Sequence, residues 1–162
     1  MARRREQAMS FPVEPAYPPI QAAVQHRVGF SEVDPMRIVW FGRYATFFEQ
    51  ASAALRDRCG LSHEDFFRAG IQPPIVRYEV EYLQPSRLDE QLTIVARLHG
   101  TDAARLNTSY LVFGPDGALR VAARTVQVFT DSHAGTVCFV PPKIWLDCLE
   151  RWRKGEFACL QA

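Results

Sequence analysis

The sequence predicts an α+β protein whose antiparallel sheet curls around one long apolar helix. Three observations carry this reading. Residues 43–58 repeat apolar side chains at helical spacing, with Tyr44, Phe48, Ala51 and Leu55 on one stripe and Phe47 and Ala54 beside it. From residue 76 onward the pattern switches to alternation through four or five successive segments. Helix and strands are therefore segregated along the chain, the arrangement of an antiparallel sheet rather than of βαβ units.

The elements follow in order. Residues 1–20 carry Arg3, Arg4 and Arg5, then Pro12, Pro15, Pro18 and Pro19. Prolines in that number without periodicity exclude a helix or a central strand, so this stretch reads as a flexible or loosely docked arm. The arginines read as a solvated tail, with contact to an anionic partner as the alternative. Alternation places a strand over 22–30, with Val24, His26, Val28 and Phe30 on one face and Gln25 and Arg27 on the other. A turn follows at Ser31–Pro35. Gly42 suits the N-cap of the long helix and Gly60 its C′ position. Ser62 and Asp65 form a capping box for a short second helix that Gly70 stops.

Past Pro73-Pro74, Val76, Tyr78, Val80 and Tyr82 oppose Arg77, Glu79 and Glu81. Leu92, Ile94, Ala96 and Leu98 make the next strand, and Leu106–Phe113 another. The GPDG at 114–117 is a hairpin turn, followed by a strand over Leu119–Phe129 and a short one near Val137–Val140. Pro141-Pro142 then opens a helix with Ile144, Trp145, Cys148, Leu149 and Trp152 on its apolar stripe. One domain over 21–155 and a tail over 156–162 complete the expected organisation. Strands this rich in Tyr, Val and Leu need their edges covered, which points to pairing between two copies of the chain.

Composition narrows the function. At 162 residues there is room for one domain of common size. Nineteen Lys and Arg against eighteen Asp and Glu leave a net charge of +1, against the basic excess of a nucleic-acid binder. No apolar run approaches the ~18 residues of a membrane span, and the basic start lacks the apolar stretch of a secretory signal. Cys59, Cys138, Cys148 and Cys159 lie without metal-ligand spacing and read as free thiols of a cytoplasmic protein. HExxH, GxGxxG and GxxxxGK are all absent, so neither a metal nor a cofactor is expected.

The chemistry concentrates in FSEVDPMRIVWFGRYATFFEQ, residues 30–50, where Asp34-Pro35 precedes the long helix and Gly42 stands at its start. Free amides at a helix N-terminus receive negative charge, and a glycine there admits a ligand close to the backbone. A nearby carboxylate adds a nucleophile or general base. Those parts together suit acyl transfer to water, with the amides accepting the oxygen of a polarised carbonyl. Composition alone also allows the bland reading, in which Asp-Pro is simply a turn.

This stretch resembles the signature of the 4-hydroxybenzoyl-CoA thioesterase branch of the hotdog-fold superfamily. Asp34, Pro35, Ile38, Val39, Trp40, Gly42, Tyr44, Phe48 and Glu49 carry the match, and VEYLQPSRLDE at 80–90 and VPP at 140–142 extend it over 22–153. The resemblance implies a sheet of five or six strands around the central helix, assembled as a homodimer or homotetramer with sites at the subunit interface. It implies an acyl-CoA or acyl-carrier-protein substrate. Asp34 falls on the catalytic carboxylate, Phe41 on the residue whose N–H binds the thioester oxygen, and Gly42 and Arg43 on the helix start.

Two positions depart from the family pattern: Arg37 replaces a usual glycine, and Phe41 stands where many members carry His or Tyr. Arg37 is read either as a substrate contact or as a solvent-facing loop residue. Glu49 is the second carboxylate, catalytic in another hotdog branch. Arg77, Arg105, Arg124 and Thr125 are candidates to hold coenzyme A, with Arg124 first. Tyr44 joins the expected substrate contacts. Two other functions remain open on the same fold. A hydratase or dehydratase needs a histidine beside the carboxylate, and none lies between His26 and His63. A non-catalytic module would bind acyl thioesters without breaking them.

Overall fold

Strand β1 (Ile20–Arg27) begins the described fold; the computed structural model describes residues 6–161, and Arg3, Arg4 and Arg5 lie outside the described residues. A 3₁₀ turn at Phe30–Glu32 and a second at Phe41–Arg43 lead into helix α1 (Tyr44–Asp57). The short helix α2 (His63–Arg68) follows, capped by Ser62 and Asp65 as the sequence predicts. Strands β3 (Ile75–Tyr82), β4 (Gln91–His99), β5 (Arg105–Phe113) and β6 (Leu119–Val128) are joined with β1 in one antiparallel sheet of order β1-β4-β5-β6-β3. Two-residue strands β2 (Ile71–Gln72) and β7 (Thr130–Asp131) pair apart from it, and helix α3 (Lys143–Arg153) is followed by a 3₁₀ turn at Ala158–Leu160.

Alternation decides what each strand buries. Leu92, Ile94, Ala96 and Leu98 of β4, Leu106, Tyr110 and Val112 of β5, and Val121 and Ala123 of β6 enclose Phe47, Phe48, Ala51 and Leu55 of α1. Phe47 and Ala51 are fully buried, so the helix lies in the hollow of the sheet. Trp145, Leu149 and Trp152 of α3 cover one end of this core, and their indoles donate to the carbonyls of Thr101 and Pro18.

Four expectations need correction. The first strand ends at Arg27 rather than residue 30, because Glu32 accepts the N–H of Gly29 at 2.8 Å and bends the chain. Phe30 therefore stands out at 83% exposure instead of sharing the inner face. Val137–Val140 is no strand: only Val137 bridges to Thr130, and Phe139 and Val140 are exposed. Gly42 sits inside the first 3₁₀ turn of the helix start, where Trp40 is the cap.

The proline-rich arm and the tail also do more than their composition suggests. Met9 and Tyr17 are buried, the Tyr17 hydroxyl donates to Asp102 at 2.7 Å, and the Phe11 ring packs at a tilt against His99. Phe157 and Leu160 join the main core, and Gln161 bridges to Ile20.

Candidate active site

Asp34 is carried on a five-residue turn. Its N–H donates to the Ile38 carbonyl at 2.9 Å, and its carbonyl accepts from Arg37 at 2.8 Å. The Asp34 carboxylate, half-buried, accepts the N–H of Met36 at 2.8 Å. The hairpin turn between β5 and β6 has the same bonds: Gly114 donates to Ala118 and Gly117 to Gly114, both at 2.9 Å. Gly117 takes φ +73° there, and Arg37 takes φ +62° at the matching place. The position wants glycine, and here an exposed arginine accepts the strain.

Three sets of contacts hold this turn against the helix start. Val39 donates to the carbonyl of buried Ser86, and Trp40 to that of Glu32. The Tyr44 hydroxyl donates to Ser86 Oγ at 3.1 Å, and the Tyr82 hydroxyl to the Phe41 carbonyl at 3.1 Å. Glu32 Oε2 lies 2.8 Å from His26 Nε2, and the His26 ring packs on Phe47 at 4.3 Å. The sequence expectation that this region offers no histidine is thus corrected: β1 brings His26 beside a carboxylate from a residue six positions on.

The helix start presents its first amides at Phe41 and Gly42, which have no carbonyl a turn earlier to accept them. Phe41 and Trp40 are exposed and their rings meet at 4.9 Å. Just beyond, a cavity of about 650 Å³ opens between α1 and the inner face of the sheet, starting at Ala45 and Thr46 in the first helical turn. Phe48, Tyr78 and Tyr110 form its aromatic wall, with Phe48 and Tyr110 stacked at 4.8 Å. Burial pushes the Tyr78 phenol up to about 12, so it stays a neutral hydrogen-bond donor.

The predicted contact residues divide over this geometry. Glu49 and Thr125 line the cavity. Tyr44 is buried and spends its hydroxyl on Ser86, which makes it a brace of the turn. Arg77 and Arg124 both pair with Glu79 at 2.7 Å, and Phe11 covers Arg124. Arg124 and Thr125 are neighbours in sequence and so project from opposite faces of β6. Arg105 lies exposed at the start of β5.

The cavity's largest polar feature was missed by the sequence reading. Arg56 is 93% buried at the C-terminal end of α1, and its Nε is enclosed without an acceptor. Its position was legible: Tyr44, Phe48, Ser52 and Arg56 repeat every fourth residue along one stripe. Among the described residues no group of three or more His, Cys, Asp and Glu side chains is placed to hold a metal ion.

An antiparallel sheet closed around one long helix defines the hotdog fold. The chain belongs to the thioesterase-like superfamily, whose family model matches residues 28–146. It is similar to "Putative acyl-CoA thioesterase YneP" of Bacillus subtilis (strain 168), 22% identical over 107 residues that cover 66% of this chain and 78% of YneP. Among solved structures it resembles a DHNA-CoA thioesterase from Staphylococcus aureus, with TM-score 0.74 and 19% identity over 85% of this chain and 93% of the other. A second Staphylococcus aureus protein, SAV2348, solved in complex with CoA, matches with TM-score 0.74 and 15% identity over 88% of this chain and 86% of that one.

Proposed function

We propose that the protein hydrolyses an acyl thioester, carried on coenzyme A or an acyl-carrier protein, to the free acid and thiol. The observation that carries this reading is the pairing of two features on one short segment: the Asp34 carboxylate, fixed by the Met36 N–H, and the open amides at Phe41 and Gly42. In the general-base route Asp34 takes a proton from water and the hydroxide attacks the thioester carbon. The carbonyl oxygen becomes an oxyanion held by the Phe41 and Gly42 amides, assisted by the dipole of α1. The carbon–sulfur bond then breaks and the thiolate leaves with the proton from Asp34. In the nucleophilic route the Asp34 carboxylate attacks the thioester carbon, the carbon–sulfur bond breaks and the thiolate leaves, and water then hydrolyses the acyl anhydride to free the acid and Asp34. Both routes use the same two groups.

The acyl chain occupies the cavity beginning at Ala45, and the active assembly is a homodimer. Strand β3 lies at the end of the sheet with Val76 59% exposed and Tyr82 half exposed, an apolar edge suited to a second copy. All four cysteines are free thiols, which supports a cytoplasmic setting.

The test is thiol release, followed with a chromogenic disulfide, across a panel of acyl-CoAs with wild type and Asp34→Asn. Asparagine keeps the turn acceptor, so the variant folds normally while turnover drops by about 10²-fold or more. Tight acyl-CoA binding with no turnover, unaffected by the substitution, would establish instead the non-catalytic binding module.

A further inference from the structure

The strongest unexplained feature of the molecule is the buried guanidinium of Arg56. Among the described residues it makes no hydrogen bond and no ion pair. Tyr110, Glu49 and Asp57 act on it only through their fields, and burial holds its charge at a disadvantage. Arginine keeps its charge in proteins, and a buried charge without a partner is stable only where something supplies one. The wall around it is apolar along most of its length and polar at this end, where Ser52, His63, Gln72 and Gln127 gather.

We propose that this cavity accepts acyl groups bearing a carboxylate at the end remote from the thioester, and that Arg56 is the residue that selects them. The inference rests on the thioesterase reading above and names its substrate class. Gly42 and Arg56 are separated by about 20 Å along the helix axis, and an arginine side chain leans back toward the N-terminus by roughly 6 Å. An acyl group anchored at the helix start thus needs about ten to twelve carbons to place a terminal carboxylate against the guanidinium. Phe48, Tyr78 and Tyr110 flank the methylene run. Glu49 lines the cavity two turns nearer the helix start and disfavours shorter dicarboxylyl groups, whose charge would stop beside it. The guanidinium fork offers two parallel N–H donors to one carboxylate, a geometry lysine does not reproduce.

The decisive comparison is dodecanoyl-CoA against its ω-carboxy counterpart of equal length. Wild-type protein shows a KM about 10- to 100-fold lower for the ω-carboxy thioester. Arg56→Met, close in length and apolar, abolishes or inverts that preference, and Arg56→Lys restores it only in part. Equal KM values in the wild type, or a preference for dodecanoyl-CoA, would overturn the proposal without any variant being made. So would an Arg56→Met protein that keeps the wild-type preference. Calorimetric titration of Asp34→Asn with both thioesters separates this inference from the reaction assigned above. A preference for the ω-carboxy compound there supports selection by Arg56 even if no thioester is hydrolysed, and equal affinities overturn it even if hydrolysis is fast.

Discussion

The indole of Trp40 packs against the backbone of Gly42, filling the space that a side chain at 42 would need. A Cβ on residue 42 would overlap three carbons of that ring, so the helix start and its aromatic neighbour are built around the missing side chain. Gly42→Ala must displace the indole and tilt the amides that receive the oxyanion. The expected result is a fall in turnover of about 10- to 100-fold with a shifted tryptophan emission maximum. Unchanged kinetics alongside unchanged fluorescence would show that the amides do not depend on this packing.

Arg37 occupies a left-handed position at φ +62° in a turn whose counterpart at Gly117 uses glycine. Its side chain is exposed, so little packing is lost when it is removed. Arg37→Gly relieves the strain but frees the unfolded chain, and the balance is a gain of about 0.5–1 kcal/mol in urea denaturation. Turnover is retained, because the bonds that seat Asp34 come from the backbone.

His99 is buried on the outer face of the sheet, its Nε2 bonded to Ser109 at 2.8 Å and its Nδ1 without a partner. Burial, aided by the nearby Arg97 charge, pulls its pKa down to about 4. Between about pH 6.5 and 4 the unfolded chain therefore binds a proton that the folded chain refuses, and stability falls as pH falls. Above that window the contribution is constant. Comparing urea stability at about pH 7.5 and 4.5, wild type should lose about 2–3 kcal/mol more than His99→Gln. Parallel losses would show that other groups set the acid limb.

The apolar edge at β3 makes the oligomeric state testable. Val76→Lys places like charges across an edge-to-edge pairing of two copies. Sedimentation should shift from dimer toward monomer at micromolar concentration, and turnover should fall with it. A wild type that sediments as a stable monomer would remove the interface from the proposed site.

Several parts of this arrangement could be read along the chain. Tyr44, Phe48, Ala51 and Leu55 announce α1, and the Ser62-Asp65 capping box is found as expected. The GPDG turn lies where its residues place it, because Gly117 needs the positive φ that the turn demands. Reading failed where one pattern serves two environments. Val137–Val140 looks apolar enough for a strand, yet Phe139 is 92% exposed. Arg124, a candidate coenzyme A contact by sequence, faces Glu79 across the β3–β6 pair and lies under Phe11, partners that its local pattern does not announce.

Periodicity, turn chemistry and capping act within a few residues, so the sequence by itself determined the long helix and the run of antiparallel strands, whereas the turn expected at Ser31–Pro35 forms over Asp34–Ile38. Contacts between segments far apart in the chain were decided only in three dimensions. The docking of Tyr17 on Asp102, the entry of Leu160 into the core and the isolation of Arg56 all depend on which surfaces the folded chain brings together. The partners of a charge belong to the packed molecule, and no local pattern encodes them.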